Sequence, residues 1–223
     1  MELKNRKVAV LGDSITEGVG TTGPDALYHA ILAKKYNWDL YVDGISGTRI
    51  APQRVPSATP SFDQDFISRI DAMPTDAEIV VFFGGTNDFG HGDAPFGQWG
   101  DTTPETFCGA VNFLMNMLKE RFEGKPIVFM TPARSCFKGD SDEGLSGYPC
   151  EKMPDAAPLK RYVDIIIEAG KKNEMPVLDL YRNLPINPNI PEDCEKYTVD
   201  GLHLNDEGHK LIAKMLGEFL LAL

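Results

Sequence analysis

Four short stretches hold residue types that can do chemistry. Gly12-Asp13-Ser14 ends an apolar run with a hydroxyl, and Asp200-Gly-Leu-His203 supplies an imidazole and a carboxylate near the other end of the chain. Between them lie Gly44-Ile-Ser-Gly-Thr48 and Gly84-Gly-Thr-Asn-Asp88. Serine, histidine and aspartate are the parts of nucleophilic acyl transfer: the ring takes the hydroxyl proton while the carboxylate holds the other ring nitrogen and stabilises the charged form. Gly47, having no side chain, lets its N–H approach a reacting oxygen, and an Asn87 amide placed nearby can donate to the same oxygen.

Each stretch also has a plainer use. Ser14-Ile-Thr-Glu17 matches the capping box that starts a helix. The glycines of 44–48 suit unusual backbone angles, and Gly-Gly before Asn-Asp is common turn chemistry. Asp200-Gly201 makes a turn, with Asn205 capping the following helix and Asp206 and Glu207 complementing its dipole. Taken singly, none of the four decides between structure and catalysis.

The elements that must position them are legible in the apolar pattern. Lys7–Asp13, Leu40–Ser46, Glu78–Gly85, Pro126–Pro132 and Met175–Leu180 read as strands. Four are nearly continuous in Val, Ile, Leu or Phe, as in strands covered on both faces; the Leu40 run is more mixed and suits an edge. Helical spacing appears at Ala26–Tyr36, Asp63–Ala72, Pro104–Arg121 (with Thr103 as its cap), Leu159–Asn173 and Asp206 to about Leu220. Strands alternating with helices predict an α/β fold, a doubly wound parallel sheet of five strands in the flavodoxin-like arrangement, with helices on both faces. Ligands of such sheets gather outside the carboxyl ends of the strands. Three of the four stretches follow strands, as that rule requires. Residues 86–103 and 133–158 are long, rich in Gly, Pro and Asp, and follow strands, so they are expected to border the site.

Composition narrows the classes. The chain has 223 residues, 42% apolar and 25% charged, enough for one domain with its own core. A net charge of −11 works against a nucleic-acid backbone or an anionic membrane surface. Cys108, Cys136, Cys150 and Cys194 form no Cys-x-x-Cys pair, and no His-Glu-x-x-His occurs, so neither metal nor cofactor is expected. Reduced thiols are the expectation, with a Cys136–Cys150 bridge open only in an oxidising compartment. Without a secretory signal or a bilayer-length apolar stretch, the expected setting is cytoplasmic, with no stable membrane association. His29 is expected at the surface and His209 in structural packing.

Together the four stretches resemble the SGNH, or GDSL-type, hydrolase family, whose blocks centre on Ser, Gly, Asn and His in that order. They match at Ser14, Gly47, Asn87 and His203, and the resemblance runs from residue 7 to about residue 215. Ile15 stands where the family name implies leucine. The resemblance implies a three-layer α/β/α sandwich over residues 1–223, a Ser14–His203–Asp200 triad, and an oxyanion site of the Ser14 and Gly47 amides and the Asn87 side chain. It implies an esterase acting through acyl-Ser14 on a small soluble ester, with deacetylation of carbohydrate as the expected case. Phe89, His91, Phe96 and Trp99 are candidates to line the substrate pocket, or to pack their own loop. Two rival classes use the same scaffold: a flavodoxin-like carrier of flavin phosphate at Gly12–Thr16, and a non-catalytic glycan-binding module. The first leaves Asp200–His203 and Gly84–Asp88 without a use, and the second requires a decayed triad.

Overall fold

The computed structural model describes residues 1–136 and 158–223. Five strands, β1 (Lys7–Gly12), β2 (Asp39–Gly44), β3 (Ile79–Phe83), β4 (Ile127–Met130) and β5 (Val177–Leu178), form one sheet in the order β2-β1-β3-β4-β5. Every neighbouring pair is parallel. This is the flavodoxin-like order, so the connections reverse direction between β1 and β3 and leave a crevice at their carboxyl ends. The register aligns those ends: Gly12 lies opposite Gly44 on one side and Phe83 on the other. The segments leaving β1, β2 and β3 therefore begin side by side.

The α-helices among the described residues are α1 (Ser14–Glu17), α2 (Tyr28–Tyr36), α3 (Phe66–Arg69), α4 (Thr86–His91), α5 (Phe107–Arg121), α6 (Leu159–Lys172), α7 (Leu180–Asn183), α8 (Pro191–Tyr197) and α9 (Asp206–Ala222). Alternation along the strands divides the apolar side chains between two layers. Ala9, Leu11, Val80, Phe82 and Phe129 face α3, α5 and α6, whereas Val8, Val10, Val81, Phe83, Val128 and Met130 face α2 and α9. The result is a three-layer α/β/α sandwich. β1, β3 and β4 are buried almost throughout, and β2, as its mixed sequence suggested, is a half-exposed edge.

Local chemistry moved several boundaries. The helix expected from Pro104 starts at Phe107, because Thr106 rather than Thr103 is its cap: Thr106 Oγ1 accepts from the Gly109 amide and donates to Asp101 Oδ2 at 2.7 Å. The helix expected over 63–72 is α3 followed by a 3₁₀ turn at Ile70–Ala72, with Asp65 capping. The stretch 86–103 opens with the short α4, too brief to show periodicity. Of 133–158, residues 137–157, and with them Cys150 and its suggested bridge, lie outside the described residues. His29 is buried, not at the surface, with Nε2 3.0 Å from the Thr16 carbonyl oxygen under α1. His209 is packing, as expected: it is buried in α9 and accepts from the Tyr28 amide at Nδ1. Among the described residues no helix is long and apolar enough to cross a membrane.

Candidate active site

Ser14 is the first residue of α1, directly beyond β1. The capping box does not form. Asp13 is the cap instead, its Oδ1 accepting from the Ile15 amide at 3.0 Å. Glu17 turns away from the helix start and accepts from the Ser46 amide (2.7 Å) and the Ser46 hydroxyl, tying α1 to the loop after β2. The Ser14 hydroxyl is thus released from capping, and its amide is one of the donors that a helix start leaves unpaired. The same arrangement disfavours a flavin phosphate here, because the Asp13 carboxylate already occupies the Ile15 amide.

The Asp200–His203 segment is a tight turn closed by the Val199 amide donating to the His203 carbonyl (2.9 Å), with Gly201 at φ 82°. One carboxylate oxygen of Asp200 accepts from the amides of Leu202 (2.9 Å) and His203 (2.7 Å). The other lies 2.6 Å from His203 Nδ1, and His203 Nε2 lies 3.0 Å from Ser14 Oγ. An ionised carboxylate only accepts, so Nδ1 carries the proton and Nε2 is left to accept from the serine hydroxyl. Half-burial would push the Asp200 carboxyl up, but the His203 ring and the two amides hold it below the usual carboxylate range. Asn205, as its position suggested, caps α9 by accepting from Glu207 and Gly208.

The loop after β2 carries Gly47 at φ 75°, where a Cβ would run into the Phe62 ring. Both the backbone angle and the space therefore require glycine. Asn87, the second residue of α4, donates from Nδ2 to the carbonyl of Thr48 at 2.9 Å, so its carboxamide sits beside this loop. Asp88 secures the pairing, its two oxygens accepting from the Ile50 and Ala51 amides at 2.9 Å each. Arg69 adds a second clamp by donating to Thr48 Oγ1 (3.0 Å) and to the Gly12 carbonyl (2.9 Å), which joins the ends of β1 and of the Gly47 loop. Burial raises Asp13 and Asp88 to about 6 each, against the amides and cations that favour their charged forms.

The aromatic candidates divide. Phe89 is buried in the core, edge-on to Tyr162, because it lies on the inward side of α4. Phe96 packs on Phe107 and Tyr162, again away from the site. Trp99 is exposed, but the Lys172 ammonium lies 5.7 Å from its ring, at the end of α6 from which the chain enters β5. Only His91 stays near the four blocks, with Nε2 3.1 Å from Asn87 Oδ1. Sequence reading missed Arg49, Phe62 and Arg69, of which only Arg49 had a signal, its place two residues after Gly47; it named Asp13 and Glu17 but not the roles they take, Asp13 as the cap and Glu17 as the tie to Ser46. Among the described residues no group of three or more His, Cys, Asp or Glu side chains is arranged to hold a metal ion.

Residues 10–211 match the model of the GDSL-like lipase/acylhydrolase family. Among solved structures, a protein from Lactobacillus plantarum is 32% identical over 98% of both chains, with a TM-score of 0.80. The acetyl xylan esterase AlAXEase shares the fold at 20% identity and a TM-score of 0.62, covering 95% of this chain and 98% of its own. A two-domain esterase active on acetylated mannans does so at 17% and 0.58, over 99% of this chain and 50% of that one. No curated protein matches the sequence. With a family match over most of its length, on the sheet order and strand-end loops described above, the chain belongs to the GDSL-like lipase/acylhydrolase family.

Proposed function

We propose that the protein is a serine esterase that hydrolyses small soluble carboxylic esters through an acyl-Ser14 intermediate, with acetyl groups on carbohydrate as its substrate class. The observation that carries this reading is the continuous chain of short contacts from Asp200 Oδ2 through the His203 ring to Ser14 Oγ, 2.6 Å and 3.0 Å. His203 Nε2 takes the Ser14 proton as Oγ attacks the ester carbonyl, and Asp200 holds the resulting imidazolium. The tetrahedral oxygen is met by the Ser14 and Gly47 amides and the second N–H of Asn87. Collapse expels the alcohol, which leaves with the proton from His203. Water, deprotonated by the same ring, then attacks acyl-Ser14 and releases the acid.

The substrate class draws support from the esterases of similar fold that act on acetylated xylan and mannan. It also draws support from the net charge of −11, which opposes anionic polymers and lipid surfaces as partners. A cytoplasmic setting is part of the same proposal, tested by fractionating cells for the activity. Turnover of p-nitrophenyl acetate that disappears in Ser14→Ala, with a phosphonate probe adding its mass to Ser14 in the unmodified protein, is the expected result. Probe on another residue, or activity surviving in Ser14→Ala, would defeat the reading. Acetylated sugars assayed beside p-nitrophenyl esters of rising chain length test the class, and faster turnover of the long-chain esters would overturn it.

A further inference from the structure

Asn87 helps a developing oxyanion only if its NH2 group, rather than its carbonyl, faces the reacting centre. The two ends of a carboxamide are nearly alike in shape, so hydrogen-bond partners set the orientation. One partner is Thr48, whose carbonyl accepts from Nδ2. The other is His91 on the same helix, with Nε2 3.1 Å from Oδ1. A neutral imidazole can donate or accept at Nε2, so His91 alone would allow either flip. The Thr48 carbonyl can only accept and so favours one flip, and Arg49 decides that the ring supports it. Its guanidinium lies 2.7 Å from His91 Nδ1, and a guanidinium has donors but no acceptor. Nδ1 must therefore accept, the ring proton resides on Nε2, and Nε2–H donates to Asn87 Oδ1.

The surroundings keep this arrangement in place. Arg49 is 3% exposed, donates to the Phe62 carbonyl at 2.9 Å and pairs with Asp63 at 3.6 Å. The Phe62 ring lies 5.6 Å from that of His91. The charged groups around the pair are Arg49 itself and, acting on Arg49, Asp63, Asp88 and Asp93. Burial and the Arg49 charge push His91 down to about 4, so the ring stays neutral at ordinary pH.

We propose that Arg49 and His91 form a positioning relay, in which Arg49 sets the His91 tautomer and that tautomer, together with the Thr48 carbonyl, holds the Asn87 flip that aims its second N–H at the substrate oxygen. The proposal rests on the reading of Asn87 as an oxyanion donor. His91 touches neither the nucleophile nor its base, so it acts through Asn87. Glutamine can replace the ring's two roles, accepting from Arg49 and donating to Asn87, whereas leucine can do neither.

With p-nitrophenyl acetate, His91→Leu should lower kcat by roughly 10- to 100-fold and move KM by less than about 3-fold, because the lost interaction operates in the transition state. His91→Gln should recover kcat to within about 3-fold of the unmodified protein. A His91→Leu enzyme with nearly full kcat, or a His91→Gln enzyme as slow as His91→Leu, would overturn the relay. Nitrogen NMR of the His91 ring in the unmodified protein gives a readout independent of any variant's folding: the proton should sit on Nε2, and Arg49→Met should let it redistribute to Nδ1. A proton found on Nδ1 in the unmodified protein also overturns the proposal. Ser14→Ala separates the two levels, since activity surviving there rejects the esterase reading while the NMR result still decides the relay.

Discussion

Replacing Asp200 with asparagine exchanges one oxygen for an NH2 group at almost no change in volume. The side-chain oxygen that accepts from the Leu202 and His203 amides can be kept, so the turn survives. The other position, 2.6 Å from His203 Nδ1, then presents a donor to a donor. The ring relieves the conflict by moving its proton to Nε2, where it faces Ser14 Oγ at 3.0 Å and can no longer take the hydroxyl proton. The loss combines a wrong tautomer with the missing negative charge that steadies the imidazolium. For an aspartate in this role the general expectation is a fall in kcat of about 10⁴, or roughly 5 kcal/mol of transition-state stabilisation. The assay is steady-state turnover of p-nitrophenyl acetate beside a thermal melt of the same sample. Asp200→Asn should melt within a few degrees of the unmodified protein and be nearly inactive. A loss of less than about 10-fold with the melt unchanged would refute the argument that Asp200 sets the tautomer of His203.

Four further outcomes follow from the same structure. Asn87→Ala should lower kcat on the order of 10²–10³ with the fold retained, checked by turnover and circular dichroism; a nearly normal rate would take Asn87 out of the site. Phe89→Ala should destabilise by about 3–5 kcal/mol in urea titration, because Phe89 is buried against Tyr162, while Trp99→Ala should leave kcat and KM for small esters unchanged. Burial, with His29 adding to it, holds His209 down to about 4, whereas an unfolded imidazole titrates near 6.5. The unfolded chain therefore takes up a proton that the folded one refuses, and this contribution is intact above about 6.5 and lost as pH falls toward 4, by up to ~3 kcal/mol. Asp13 and Asp88, raised to about 6, act in the opposite direction over the same window. They are common to both proteins, so the stability of His209→Gln should fall less steeply between pH 7 and 4.5 than that of the unmodified chain. Parallel curves would contradict this assignment.

What the sequence determined by itself was the framework and a set of candidate groups at its loops. The near-continuous apolar runs ending at Gly12, Phe83 and Met130 required strands covered on both faces, and the helical spacing between them required a doubly wound sheet. Ser14, Gly47 and Asn87 could be picked out because their residue types sit where strands end, and Asp200 and His203 because they form a turn before the last helix; both are properties of local pattern. Tertiary structure decided which use each residue has. Whether Ser14 caps α1 or faces an imidazole depended on Asp13 taking the cap and Glu17 leaving for Ser46, a contact across 29 positions. Burial of Phe89, the Lys172 ammonium beside the Trp99 ring and the pairing of His91 with Arg49, 42 positions away, were equally invisible. Apolar periodicity reports which side of an element meets the core. The direction of a polar side chain is set by partners that only folding brings within hydrogen-bond reach.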